Sequence, residues 1–314
     1  MFLKQNFNQI QKTKKVAFLL LSMACDGLFV SKKLFGGDVK IAINGVGEEI
    51  GGEIIDEVCE YGLELEKIFN FFDKKSELSM LNRKRKLKVS RHLFELINFS
   101  LRFCELSRGK YDISIGKQIV QRKNSRNVLP VSCSYRDILL SGDVVALENG
   151  DVLIDLGSVA KGYIVDKMAE KFLELGILSG VIDARGDIRV FGDFEEAIGI
   201  QHPRESEKTV GKIRLKNLSV ATSGDYRQFY GDYKNSHILN SQDLISVTVV
   251  ASSLAEADIC ATTIFVSGKN EREKLIKENK KIRVLTIDGN LRFKYYNGFE
   301  KLVVGFPNHL EKLK

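Results

Sequence analysis

The chain has 314 residues, 44% of them hydrophobic and 28% charged, with a formal net charge of +7. That balance supplies a sizeable core and excludes a disordered or fibrous chain, and the length allows one large or two modest domains. The basic runs carry no interleaved aromatic residues on which bases would stack, so nucleic acid is not an expected partner.

Lys4, Lys12, Lys14 and Lys15 precede an apolar run over 16–24, which ends at Cys25. This is the layout of a secretory signal and is too short for a stable membrane span. A small residue directly before a cysteine resembles a bacterial lipobox, with Leu21 one place earlier than the usual leucine. Residues 1–28 are expected to be a signal and lipid-anchor segment with a short tether, cleaved before Cys25 and joined to the membrane through a lipid on that residue. The alternative is a short amphipathic or buried helix on a cytoplasmic protein. Residues 29–314 read as a single unit of one or two lobes, since no Pro-rich or Ser-rich linker divides them.

Residues 53–72 show helical periodicity, with Ile54, Ile55, Val58, Leu63, Leu65, Ile68 and Phe69 on the apolar side, and 91–106 form a second helix. Between them lies Ser76-Glu77-Leu78-Ser79-Met80-Leu81-Asn82, and after them Tyr111-Asp112-Ile113-Ser114-Ile115-Gly116. Cys59 and Cys104 fall in apolar helical patterns and read as core residues. The absence of a Cys-x-x-Cys pair or a Cys/His cluster argues against zinc.

Val152, Leu153 and Ile154 resemble the end of a buried strand and lead into Asp155-Leu156-Gly157-Ser158-Val159-Ala160-Lys161-Gly162-Tyr163. Gly157 and Ser158 turn the chain, and Ser158 or its neighbour caps a helix that carries Ile164, Val165, Met168, Ala169, Phe172 and Leu173 and stops at Gly176. Strand, glycine turn, lysine and helix start together suit a phosphate, because free N–H groups meet the positive helix end. The same pattern also fits an ordinary strand-to-helix turn with a solvated lysine.

Residues 181–191, 197–201, 213–220 and 245–251 read as strands from their β-branched and apolar content. Asp183-Ala184-Arg185-Gly186-Asp187 falls within the first of these. Ala221-Thr222-Ser223-Gly224-Asp225-Tyr226 reads as a polar turn, and His237-Ile238-Leu239-Asn240 follows it. Ser252 or Ser253 opens a helix to about Val266, with Ser253 and Glu256 in capping-box spacing. Asp258 and Thr262 are one turn apart on that helix. They form a fair partial Mg²⁺ shell, or else a dipole-favoured carboxylate and a buried threonine. Strands and helices without strict alternation give an α+β fold: a mixed sheet core with packed helices.

The Asp155–Tyr163 stretch resembles the D-L-G-[GS]-[IV]-A-K-G-[YF] signature of the ApbE family, the FAD:protein FMN transferases. The Leu34-Phe35-Gly36-Gly37-Asp38-Val39 segment is similar to the family's opening strand. Ser76–Asn82, Tyr111–Gly116, Ala221–Tyr226, His237–Asn240 and the run from Ser246 to Thr262 resemble its other blocks, in the family's order. The resemblance implies a layered, T-fold-type domain that takes FAD as substrate with Mg²⁺. It also implies an acceptor flavoprotein subunit of a membrane redox complex, and a place on the periplasmic face of the bacterial inner membrane, with the cytoplasm as the alternative.

The resemblance assigns His237 and Asp258 to catalysis, and Asp258, Thr262 and the backbone oxygen of Ala160 to the metal. To the flavin nucleotide it assigns Ser76, Ser79, Asn82, Asp155, Gly157, Lys161, Asp183, Asp187, Thr222, Ser223, Gly224, Asp225 and Tyr226. Lys161 either meets the pyrophosphate or forms a structural ion pair. Three departures stand out: the proline usual after Asp112 is missing, Arg185 replaces a usual glycine, and the loop after Asn240 is shorter. The implied reaction moves FMN from FAD to a threonine or serine hydroxyl and releases AMP. The alternatives are an FAD pyrophosphatase and a non-catalytic FAD-binding lipoprotein.

Overall fold

The computed structural model describes residues 27–124, 130–225, 229–230, 232–236 and 243–305. The segment expected to be a signal, with Cys25, lies outside them, as do Tyr226 and His237. The chain opens with the hairpin β1 (Gly27–Leu34) and β2 (Gly37–Asn44). Phe35 and Gly36 turn it with φ of 54° and 73°, the left-handed pair that a two-residue hairpin needs. Helix α1 (Glu48–Phe69) starts a turn earlier than its apolar periodicity suggested and ends sooner. Asn70 stops it: its side-chain oxygen accepts from the N–H groups of Phe72 and Asp73.

Helix α2 (Glu77–Lys84) is capped by Ser76, and β3 (Lys86–Lys88) follows. Helix α3 (Arg91–Leu106) has the expected bounds and takes Ser90 as its cap. Then come α4 (Gly116–Asn124), β4 (Ile138–Ser141), β5 (Val144–Leu147) and α5 (Ala160–Glu174). The two long strands read from sequence are each two strands, the first pair a hairpin and the second divided between two sheets. One is β6 (Ser179–Asp183) with β7 (Ile188–Gly192), and the other involves β9 (Thr209–Lys216), after β8 (Glu195–Gln201), with β10 (Ser219–Gly224). Left-handed Arg185 and Asn217 break them, a conformation that hydrophobicity does not signal.

After β11 (Phe229–Tyr230) and β12 (Asp232–Ser236) come β13 (Leu244–Ala251), α6 (Leu254–Val266) and α7 (Lys269–Glu278). The described chain closes with β14 (Arg283–Asp288), β15 (Phe293–Tyr296) and β16 (Val303–Gly305). Ser253 caps α6 as its spacing with Glu256 suggested, its Oγ accepting from Glu256 N at 3.2 Å. Among the described residues no helix is long and apolar enough to cross a membrane.

An eight-stranded sheet, in the order β1-β2-β6-β7-β10-β13-β14-β15, organises the molecule. The expected α+β layering is present, and each pairing in this sheet is antiparallel. Alternation along the strands sends one set of side chains to each face. Ile41, Ile182, Ala221, Val247 and Val249 join the helices in the larger core. Val181, Val190, Val220, Val250 and Leu285 join Ile198, Ile213 and Leu215 of a second sheet, β16-β9-β8, in a smaller core. The layers are helices, large sheet and small sheet. Strand β13 is buried along its whole length because both its faces are covered.

Candidate functional site

The site residues gather where α5, the β6–β7 turn, β10 and α6 meet. The turn before α5 is built from its own polar groups. Asp155 Oδ1 accepts from Gly157 N at 2.7 Å, and the N–H groups of Val159 and Ala160 both donate to Leu156 O. No side chain caps the helix: Ser158, expected to do so, instead places its Oγ 2.9 Å from the Tyr111 hydroxyl. Burial pushes the Tyr111 phenol far above its ordinary value, with Cys104 and Asp258 among the neighbours that add to the shift. Tyr111 therefore stays protonated, with its hydroxyl against Ser158 just before α5.

Lys161 forms an ion pair with Asp187, whose side chain is 4% exposed. Asp187 Oδ1 also accepts from Thr222 N at 3.2 Å, so this one carboxylate joins α5, the β6–β7 turn and β10. Of the two readings of Lys161, the structural ion pair is present. Asp183 closes the same turn by accepting from Gly186 N at 2.6 Å. Arg185 between them is left-handed, with φ of 64°, and its side chain lies over Gly37. A Cβ at Gly37 would stand 2.7 Å from Arg185 Cδ, so the glycine makes room for the arginine that replaces the expected glycine.

The Thr222–Asp225 segment is not a turn until its end. Residues 219–224 are a strand, so Thr222 and Ser223 point to opposite faces of the sheet. Thr222 Oγ1 lies 3.0 Å from Thr248 Oγ1 on the side of the small sheet. Ser223 Oγ lies 3.1 Å from Thr262 Oγ1 on the side of α6. Gly224 ends the strand, and Asp225 is gripped by both guanidinium nitrogens of Arg204 at 2.7 and 2.9 Å. Arg204 comes from the β8–β9 connection, and nothing in its local sequence marked it out.

Helix α6 supplies Asp258, 9% exposed, with its Oδ2 fully buried, and Thr262 one turn on. The helix is largely enclosed, with Asp258 buried and Thr262 half-buried. Ala160 is the first residue of α5, the helix that packs beside α6. Sequence reasoning passed over Asp166, whose carboxylate receives the N–H groups of Leu254 and Ala255 at the start of α6. Its signal was its place one turn after Gly162.

Ser76, Ser79 and Asn82 have architectural work. Ser76 Oγ accepts from Ser79 N at 3.0 Å, and Ser79 Oγ donates to Phe71 O at 3.0 Å. Asn82 pairs with both the N–H and the C=O of Ile154, at 2.7 and 2.9 Å, and so fixes the segment that leads to Asp155, which is not the expected strand end but extended chain with one isolated bridge, Leu153 to Ile115. Arg85, in a basic run, turns its guanidinium onto the carbonyls of Val152 and Leu147. His237 and Tyr226, assigned by the resemblance, lie outside the described residues.

Known proteins share sequence and fold with this chain. An FAD:protein FMN transferase of Haemophilus influenzae is 24% identical over 269 residues, 74% of this chain and 78% of that protein. One of Vibrio cholerae is 26% identical over 246 residues, 69% and 73% of the two chains. Among solved structures, the ApbE protein of Thermotoga maritima superposes with a TM-score of 0.76 at 24% identity, over 89% of this chain and all of that one. The flavin transferase ApbE of Vibrio cholerae does so with 0.73 at 22%, again over 89% and the whole chain. The model of the ApbE family matches residues 35–286, most of the chain, and the chain belongs to the ApbE family.

Proposed function

We propose that this protein is an FAD:protein FMN transferase, moving FMN from FAD to a threonine or serine hydroxyl of an acceptor flavoprotein with release of AMP. The observation that carries this reading is the meeting of Asp258 and the Ser223–Thr262 hydroxyl pair on α6 and β10, beside a start of α5 that no side chain caps. The names of the relatives, FAD:protein FMN transferase, support the same reaction.

Mg²⁺ fits the donor set. Asp258 offers a carboxylate, Thr262 a hydroxyl and Ala160 a backbone oxygen. All are hard oxygen donors, and Mg²⁺ takes one or two carboxylates and leaves its other positions to water and phosphate. Bound there, the ion supplies charge neutralisation at the pyrophosphate.

The chain's own residues do the rest. The positive end of α5 draws the anionic phosphates. Asp187 holds Lys161 and the Thr222 backbone in place around them. The acceptor oxygen bonds to the phosphorus on the FMN side, the bond to the AMP oxygen breaks, and the hydroxyl proton passes to His237. The product is a phosphoester-linked flavin.

The acceptor is read as a subunit of a membrane redox complex, and the enzyme as a lipoprotein anchored through Cys25 on the periplasmic face of the inner membrane. The signal-like segment before Cys25 supports that location. Protein purified from cells is then expected to begin at an acylated Cys25, and an intact Met1 peptide would reverse the assignment.

The test is incubation with FAD, Mg²⁺ and a threonine-bearing acceptor domain. Flavin fluorescence that stays on the denatured acceptor, and is lost with a chelator or with Asp258→Ala, supports transfer. AMP without labelled acceptor points to an FAD pyrophosphatase, and FAD binding without either product to a binding lipoprotein.

A further inference from the structure

Helix α6 begins against the side of α5, and the contact is built from two residues one turn apart. At Gly162 the peptide between Leu254 and Ala255 lies flat on α5: a Cβ there would stand 2.7 Å from Leu254 O and 2.8 Å from Ala255 N. At Asp166 the carboxylate receives Leu254 N on Oδ1 at 2.7 Å and Ala255 N on Oδ2 at 2.8 Å. The first N–H groups of a helix have no partner within it. Here Asp166 takes two and Ser253 takes that of Glu256. Arg189 Nε stands 3.9 Å from Asp166 and its Nη1 donates to Ser252 O, so β7 braces the same junction.

We infer that Asp166 is a positioning residue that, with Gly162, sets the rotation and height of α6 and thereby places Asp258 and Thr262 relative to Ala160. Two bonds to the two oxygens of one planar carboxylate fix both the axial position of the helix start and its rotation. Asp258 follows Ala255 by less than one turn, about 4.5 Å along the axis. A helix this short transmits a shift at its first residues to Asp258 without loss. Asp166 itself turns toward the start of α6, so it acts through α6 and not as a ligand. This rests on the metal reading proposed above and extends it to a residue that touches neither metal nor flavin.

The test uses the full chain and a readout other than turnover: Mn²⁺ titration followed by electron paramagnetic resonance, with ADP as a stand-in for the pyrophosphate. Asp166→Asn keeps the size but faces one backbone N–H with an NH₂ group. It is expected to weaken Mn²⁺ binding about tenfold, as changes behind metal ligands do, with ADP binding in the absence of metal unchanged. Gly162→Ala forces α6 away by steric contact and is expected to weaken Mn²⁺ in the same direction, which keeps the test standing where Asp166→Asn does not fold. Variants that unfold at lower urea yet bind Mn²⁺ as the parent does would overturn the inference. Asp258→Ala separates the two readings. If it loses Mn²⁺ while Asp166→Asn and Gly162→Ala keep it, only the positioning role fails. If it too binds Mn²⁺ normally, the metal assignment fails and the positioning role with it.

Discussion

Ser223 and Thr262 face each other across the seam between β10 and α6, with their hydroxyl oxygens 3.1 Å apart. The contact links the large sheet to the helix that carries Asp258. It also leaves each hydroxyl with capacity for a second partner, since a hydroxyl both donates and accepts.

That pair makes the first prediction. Thr262→Val keeps the shape and removes the oxygen, so FMN transfer should fall by about tenfold or more if the hydroxyl serves the metal. Ser223→Ala removes only the supporting partner and should fall less. Initial rates of acceptor labelling across a Mg²⁺ series check the order, and equal losses in the two variants would contradict it.

Arg204 and Asp225 form a second testable pair. Both nitrogens of the guanidinium meet the carboxylate, and the side chains are 30% and 13% exposed. Arg204→Ala leaves a mostly buried carboxylate without that partner and should cost about 2 kcal/mol in urea denaturation. Arg204→Lys should recover only part, because an ammonium does not reproduce the fork.

Burial pushes Asp166 up to about 6, against two backbone N–H groups and Arg189, which pull it down. An acid raised in the folded state binds protons there that the unfolded chain has already released. Its contribution to stability is therefore full below about 4 and lost as the pH rises through about 6. The parent should lose stability relative to Asp166→Asn over that window, by about 1–3 kcal/mol. Urea midpoints measured from pH 4 to 7 check the sign, and a flat difference would contradict it.

The cysteines give a fourth. Burial raises the Cys59 thiol to about 11, and raises Cys104 and Cys260 as well. Cys133 is also raised by burial, but it alone of these four is partly exposed. Thiolate is the reactive form, so brief alkylation of the native protein should label Cys133 well before the other three. Peptide mass spectrometry reads the order directly.

Much of the site was legible in the sequence because it depends on local chemistry. Asp258 and Thr262 share a helix face through spacing alone. Ser253 caps α6 because a hydroxyl at a helix start meets an N–H that has no other partner. The family blocks named further residues, with Arg185 a departure from them, and passed over Asp166 and Arg204.

Other features required the fold. The β6–β7 and β9–β10 turns rest on left-handed Arg185 and Asn217, which carry no hydrophobic signal. Thr222 and Ser223 read as one polar turn, yet the alternation of a strand sends them to opposite layers. Asp166, Arg204 and Tyr111 matter through partners distant in the chain.

The sequence by itself determined the starts of α3 and α6, the apolar periodicity of the long helices and which residue types were present to bind oxygen and phosphate, since capping and periodicity act within a turn or two. Only the tertiary structure decided that Asp187 would hold Lys161 and β10 together, and that Gly162 and Asp166 would seat α6. Those contacts join chain segments brought together by burial on the two faces of one sheet, and no local rule encodes which segments burial will bring together.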